Sequence, residues 1–255
     1  MPKSLHLLKA LPKADDRPEA LPPSARQAEP AAFGEPNLLR LMQLISPLFP
    51  VGGYAYSQGL EQAIEQRWVA TPGTLQDWLR GLLLNGVARL DLPMLSRAHA
   101  AWSVNDSARA LQLSKQVLSM RGARELFEED RSLGNALARA LHGLGITQAA
   151  SWVGQSHASY PVLFALACTH WGIPARSAAL GYAYVWSETQ VSAASRLMPL
   201  GQTACQAVLS ELLQSIPAAV DLGLSLEDCE IGSLAPAHAI AAAWHETQYS
   251  RLFRS

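Results

Sequence analysis

The sequence predicts an all-α protein, a single domain of about ten helices. Three observations carry that expectation. Ala and Leu far outnumber Val and Ile, which favours helix over strand. Apolar residues recur at spacings of three and four along most of the chain instead of alternating. Pro and Gly fall between those periodic runs, and the gaps are too short to mark a second domain. No internal repeat is present.

Residues 1–36 hold seven of the sixteen prolines, with balanced charge and little periodicity. Such a segment buries too little to offset its ordering entropy, so a flexible proline-rich arm is expected there, with the helical domain at 37–255. A short apolar patch in the arm, Leu5 to Leu11, could dock on the body or on a partner. From Asn37, residues Leu38, Leu41, Met42 and Ile45 share one helical face, and that helix must stop before Pro47. The next stretch, SPLFPVGGYAYSQGLE from Ser46 to Glu61, is a turn. Pro47 and Pro50 forbid continuous helix, and Gly52-Gly53 permits φ > 0. Ser57 is expected to cap a helix carrying Leu60, Ile64 and Trp68.

Thr71-Pro72 restarts helix, with Leu75, Trp78, Leu79, Leu82 and Leu83 on one side. Asp91 is expected to cap the helix beginning Asp91-Leu92-Pro93, and Asp106 or Ser107 the one carrying Leu111 and Leu118. Met120 to Leu144 reads as one long helix. Its charged beginning (Arg121, Arg124, Glu125, Glu128, Glu129, Asp130, Arg131) is expected to pair along an exposed face, with partner contact as the rival role. Ser159-Tyr160-Pro161 opens a strongly apolar helix that ends near Trp171-Gly172. Pro174 heads a helix carrying Leu180, Tyr184 and Val191. RLMPLGQ, from Arg196 to Gln202, interrupts it and begins another that ends or kinks at Pro217. Glu227 to Gly232 is a loop, and Pro236 starts a last helix that runs to Trp244 and into the tail.

Bulk properties narrow the function. A net charge of −1 and a pI near 6.7 give no basic excess for nucleic acid. Three separated cysteines, Cys168, Cys205 and Cys229, argue against a disulfide framework and for a reducing compartment. LHLLKAL is too short and too broken by Lys9 for a secretory core. The longest apolar run, Pro161 to Cys168, is far below the ~20 residues that span a bilayer. A cytoplasmic protein without a membrane role is expected. No phosphate loop, dinucleotide fingerprint or nucleophile elbow occurs. His245-Glu246 begins a zinc-protease pattern, but Tyr249 stands where the second histidine belongs. Cys168 and His170 would point about 200° apart on a helix. No catalytic, cofactor-binding or metal-ligating residue is therefore assigned. Two stretches instead carry interface chemistry. Tyr54 and Tyr56 sit on the rigid turn, and the chain ends in Tyr249, Arg251, Phe253 and Arg254, the residue types that dominate binding energies.

SPLFPVGGYAYSQGLE closely resembles the signature of the UreF family of urease accessory proteins. So do Asp91-Leu92-Pro93, Arg124-Glu125 with Gly134, RLMPLGQ, and His245-Glu246 followed by QYSRLFRS. Ala55 replaces a common serine, and Ala204-Cys205 departs from a more polar residue and a glycine. The resemblance, over about 37–255, implies a cytoplasmic, often dimeric, all-α scaffold. It would bridge the urease-binding accessory protein UreD (also called UreH) and the GTPase UreG. That assembly would deliver nickel to apo-urease in a GTP-dependent step, the nickel being handled by the complex and not held tightly by this chain. The alternative within the family is a regulator of the UreG GTPase; outside it, a helical enzyme with an unread buried polar site. The motif positions expected to face partners are Tyr54, Tyr56, Ser57, Gln58, Glu61, Arg124, Glu125, His245, Glu246, Tyr249, Ser250, Arg251, Leu252, Phe253 and Arg254.

Overall fold

The strongly apolar segment between Tyr160 and His170 forms the centre of the protein, with every residue from Pro161 to Cys168 buried. A computed structural model describes residues 34–255. The helices are α1 (Glu35–Leu44), α2 (Leu60–Glu65), α3 (Pro72–Leu82), α4 (Asp91–Ser103), α5 (Ser107–Ser119), α6 (Arg124–Gly143), α7 (Tyr160–His170), α8 (Ala175–Leu197), α9 (Gln202–Ser225) and α10 (Pro236–His245). No strand occurs among the described residues, so the all-α expectation holds. The expected arm, with its Leu5–Leu11 patch, lies outside the described residues apart from its last positions. Of those, Glu35 and Pro36 already belong to α1.

Two apolar clusters organise the helices. The larger gathers α4 and α7 with faces of α1, α5, α6, α8 and α9. The smaller joins α2, α3, the end of α8 and the start of α9, and it takes Phe253 from the tail. α9 is long and apolar enough to cross a membrane by length and composition. Its face from Val208 to Gly223 is instead buried against neighbouring helices. It runs unbroken through Pro217. The carbonyl that this proline deprives of a donor belongs to Leu213, which is partly exposed.

Caps explain several boundaries. Thr71 accepts from the Thr74 amide at 3.2 Å, and Pro72 occupies the first turn as expected. The Asp106 carboxylate accepts from the Arg109 amide at 2.9 Å. Three expectations are corrected. Ser57 is not the residue next to α2, since Gln58 and Gly59 both adopt positive φ and the helix starts at Leu60 behind Gly59, but its hydroxyl does accept from the Glu61 amide in the first turn at 3.4 Å. A Cβ on Gly59 would lie 2.8 Å from the Ala242 amide nitrogen. Asp91 is not a cap either; it is the first residue of α4 and its carboxylate turns inward to Arg121. The helix expected from Met120 begins at Arg124, because α5 ends at Ser119 and the intervening turn places Arg121 beneath the surface.

α6 meets the segment before α7 at Gly134, where a Cβ would lie 2.1 Å from the Ala158 carbonyl oxygen. Gly134→Ala should therefore lower stability by ~1–3 kcal/mol, the cost of overpacking. Gly143→Ala has no neighbour within 4 Å of the added carbon and should be neutral or slightly stabilising. Thermal unfolding of the two variants checks this, and equal melting temperatures would contradict the packing.

Candidate functional site

The Ser46–Glu61 turn and the residues after α10, far apart in sequence, form one structure. The turn is built on left-handed conformations at Gly52, Gln58 and Gly59. Gln58 is the strained one, since it has a Cβ. Its side chain is held at both ends: the Trp186 indole donates to its Oε1 at 2.8 Å, and its Nε2 donates to Glu129 Oε1 at 2.7 Å. Tyr54 Oη donates to Glu188 Oε2 at 2.8 Å. Burial and that carboxylate push the phenol well above its usual range.

Glu61 follows at the second position of α2 and is buried. Its two oxygens accept from the Leu252 amide at 2.7 Å and the Phe253 amide at 3.0 Å. The fully buried His245 ring lies between two acids, with Nε2 3.2 Å from Glu61 Oε2 and Nδ1 2.7 Å from Glu125 Oε2. Glu125 Oε1 also accepts from Arg251 Nη1 at 2.7 Å, and its amide donates to Glu246 Oε1 at 3.3 Å. At the end of the tail, the Ser255 carbonyl accepts from the Ser57 amide at 2.7 Å and hydroxyl at 2.6 Å. The Ser255 hydroxyl donates to Glu129 Oε2 at 2.6 Å, and the Arg254 amide to the Ala55 carbonyl at 2.9 Å. The Arg196 guanidinium sits 5.8 Å from the centre of the buried Phe253 ring.

Of the residues singled out in sequence, the structure thus brings together Tyr56, Ser57, Gln58, Glu61, Glu125, His245, Glu246, Arg251, Leu252, Phe253 and Arg254. Tyr56, Ser57, Glu61, His245 and Phe253 are buried within the chain. Arg124, Tyr249, Ser250, Arg251, Leu252 and Arg254 are exposed, and Tyr54 is half-buried. Tyr249 projects fully into solvent.

Glu129, Trp186, Arg196 and Ser255 were not anticipated as members of this site. For Glu129 a signal existed. Leu126, Asp130, Leu133 and Leu137 recur at spacings of four and three, and Glu129 lies on that stripe. The expected exposed charge face is corrected accordingly. Arg131 and Glu128 do pair near the surface, but Glu129 and Asp130 face inward. Asp130 and Asp91 clasp Arg121 at 2.7 Å each. Burial alone would lower the Arg121 pKa, but the two acids hold it well above its usual value. Burial raises Asp130, with Arg121 and the Tyr160 amide opposing. Tyr182 donates to Asp91 at 2.9 Å and is raised by its own burial. Cys168 is buried, His170 is exposed, and no group of His, Cys, Asp or Glu suited to a metal ion occurs among the described residues.

Burial also pushes Glu129 from 4.5 up to about 7, against the opposing hydrogen bonds from Ser255 and Gln58. The folded protein therefore holds this proton across a window where the unfolded chain has lost it. The group's contribution is greatest below 4.5 and is lost as pH rises through about 7. Relative to Glu129→Gln, the wild type should lose up to about 3 kcal/mol between about pH 5 and about pH 8. Denaturant titration at fixed ionic strength measures this. A constant difference between the two proteins would show Glu129 ionising freely.

A family model described as UreF matches residues 69–213, the helical body between turn and tail. A urease accessory protein UreF of Alkalilimnicola ehrlichii is 48% identical over 216 residues, covering 85% of this chain and 95% of that protein. The protein of the same name from Hahella chejuensis is 43% identical over 218 residues, covering 86% and 98%. That of Chromohalobacter salexigens is 41% identical over 228 residues, covering 89% and 99%.

Proposed function

The chain belongs to the UreF family of urease accessory proteins and so has its role in urease maturation; from that premise we propose that it is a non-catalytic scaffold bridging UreD/UreH and the GTPase UreG. It works in the cytoplasm, as a homodimer, for the GTP-dependent insertion of nickel into apo-urease. Nickel is handled by the complex and is not held tightly by this chain. One observation carries the scaffold reading: the tail is anchored from inside by Glu61, Ser57 and Glu129 while it presents Tyr249, Leu252 and Arg254 to solvent. Apolar and guanidinium groups held on fixed backbone enter an interface with little ordering cost. The polar groups beneath the turn support a non-catalytic role, because Arg121, Asp91, Asp130 and Glu129 are all engaged with one another or with neighbours. None is left free as a base or nucleophile.

A second reading, regulation of GTP hydrolysis on UreG, has its own support. Arg251 is tied to Glu125, whereas Arg254 makes no ion pair among the described residues although its backbone is fixed to Ala55. Such a guanidinium is free to pair with a carboxylate or phosphate.

Separable effects are expected from substitution. Tyr56→Ala and Phe253→Ala should cost ~3–5 kcal/mol of stability, as buried aromatics do. Tyr249→Ala combined with Leu252→Ala should leave the melting temperature unchanged and weaken partner capture by ~2 kcal/mol or more. Arg254→Ala should leave capture of UreD intact and change either UreG capture or its GTP hydrolysis. Co-purification with UreD and UreG, with and without nucleotide, alongside thermal unfolding, provides the measurement. Undiminished capture by the Tyr249/Leu252 double variant would refute the tail as the recognition surface.

A further inference from the structure

A groove of about 380 Å³ lies between the first turns of α6 and the tail. Helix α6 contributes Arg124, its first residue, and three acids behind it; the turn contributes the buried Tyr56, and the tail contributes Arg254. Tyr249 and Leu252 lie outside it.

Counted alone, the carboxylates of Glu125, Glu128, Glu129 and Glu246 would make the groove a seat for a cation. Each already has its donor. Glu125 accepts from Arg251 and faces His245, and Glu128 pairs with Arg131. Glu129 accepts from Gln58 and Ser255, and Glu246 accepts from the Glu125 amide. What is left over is positive. Arg124 and Arg254 are both exposed and form no ion pair among the described residues, whereas Arg131 and Arg251 are taken by Glu128 and Glu125. The two free arginines nevertheless stand on fixed backbone. The Arg254 amide donates to the Ala55 carbonyl at 2.9 Å, and its neighbours Phe253 and Ser255 are buried. Arg124 opens a helix whose next amide, that of Glu125, is held by Glu246. Only the two side chains remain to be ordered when an anion arrives, so the cost of engaging them is small.

A guanidinium presents a planar fork of donors that fits a carboxylate bidentately. A phosphate dianion fits the same fork but meets more repulsion from the four acids around it. A cation would have to displace donors that those acids already hold. The lining therefore favours a group with a single negative charge.

We propose that this groove receives an acidic side chain, aspartate or glutamate, of a protein partner, with Arg124 and Arg254 as the groups that pair with its carboxylate. The inference names the chemistry of one contact on the scaffold and rests on that reading; small probes test it without any partner, so the two can fail separately.

The full chain is titrated with the N-acetyl, N-methylamide derivatives of glutamate, glutamine and phosphoserine, and the arginine side-chain signals are followed by two-dimensional NMR. The glutamate derivative should shift the Arg124 and Arg254 signals and bind about tenfold more tightly than the glutamine derivative, as a charge-assisted hydrogen bond allows. The phosphoserine derivative should bind no more tightly than the glutamate one. Arg124→Gln combined with Arg254→Gln should erase the preference for glutamate over glutamine without moving the melting temperature. The same double variant should capture UreD or UreG about tenfold more weakly, with a flatter dependence on salt. Equal binding of the glutamate and glutamine derivatives, tighter binding of phosphoserine, or an unchanged preference in the double variant would each overturn the proposal. Undiminished capture of both partners by the double variant would overturn it too, while leaving Tyr249 and Leu252 to carry the scaffold.

Discussion

Glu61 sits in the first turn of α2 with both carboxylate oxygens turned into the protein, accepting two tail amides and facing His245. A buried carboxylate without partners would cost several kcal/mol. Here the positive end of a helix, two backbone donors and an imidazole surround it. The same bonds solve a problem for the tail. Residues after α10 are not helical, so their amides need acceptors from elsewhere. Once Leu252 and Phe253 are held, the Phe253 ring enters the smaller core beneath Arg196, and Ser255 reaches Ser57 and Glu129. Each contact lies within reach only because the preceding one is made.

Much of this arrangement was legible, but only where cause and effect are close in sequence. Thr71 and Asp106 begin helices because a cap acts on an amide three residues away, and Pro72 and Pro236 suit the first turn, where a missing N–H costs nothing. The strongly apolar run at Tyr160 had no alternative to burial. Asp91 looked like a cap and is not, and Ser57 caps α2 only from a distance, accepting from the Glu61 amide at 3.4 Å while its hydroxyl donates to the Ser255 carbonyl. Each is claimed by a partner distant in sequence, Ser255 in one case and Arg121 with Tyr182 in the other. Local pattern cannot weigh that competition. The left-handed Gln58 was likewise illegible, since its conformation is enforced by Trp186 and Glu129 and not by its own preference. Recognition of the turn and tail as special was possible from composition; their union was not.

The buried ion cluster shows the same long-range logic inside the domain. Arg121 lies in the turn between α5 and α6, Asp91 begins α4, Asp130 lies on α6 and Tyr182 on α8. Asp130 also accepts from the Tyr160 amide at the start of α7 at 2.6 Å. Five elements therefore meet in one network, two carboxylates bonding the guanidinium and the Tyr182 hydroxyl and Tyr160 amide bonding those carboxylates. Removing either partner alone would strand a charge, which is more costly than never having buried the pair. Such a cluster contributes little net stability but specifies how the helices meet, and it forms the floor on which the turn rests.

The end of the tail is non-helical, bending at Leu252 and Phe253, and divides two tasks between adjacent residues. Leu252 and Arg254 face solvent while Phe253 and Ser255 face inward. A helix would spread inward and outward positions around a cylinder, whereas this non-helical segment alternates them residue by residue. Anchoring and presentation are then separable at single-residue resolution, and an exposed side chain can change without disturbing the bonds that fix its neighbour. The strain at Gln58 and the burial of Glu129 lie on the anchoring side of that division. They place the cost of order within the free chain, so that less ordering is left for the moment of association.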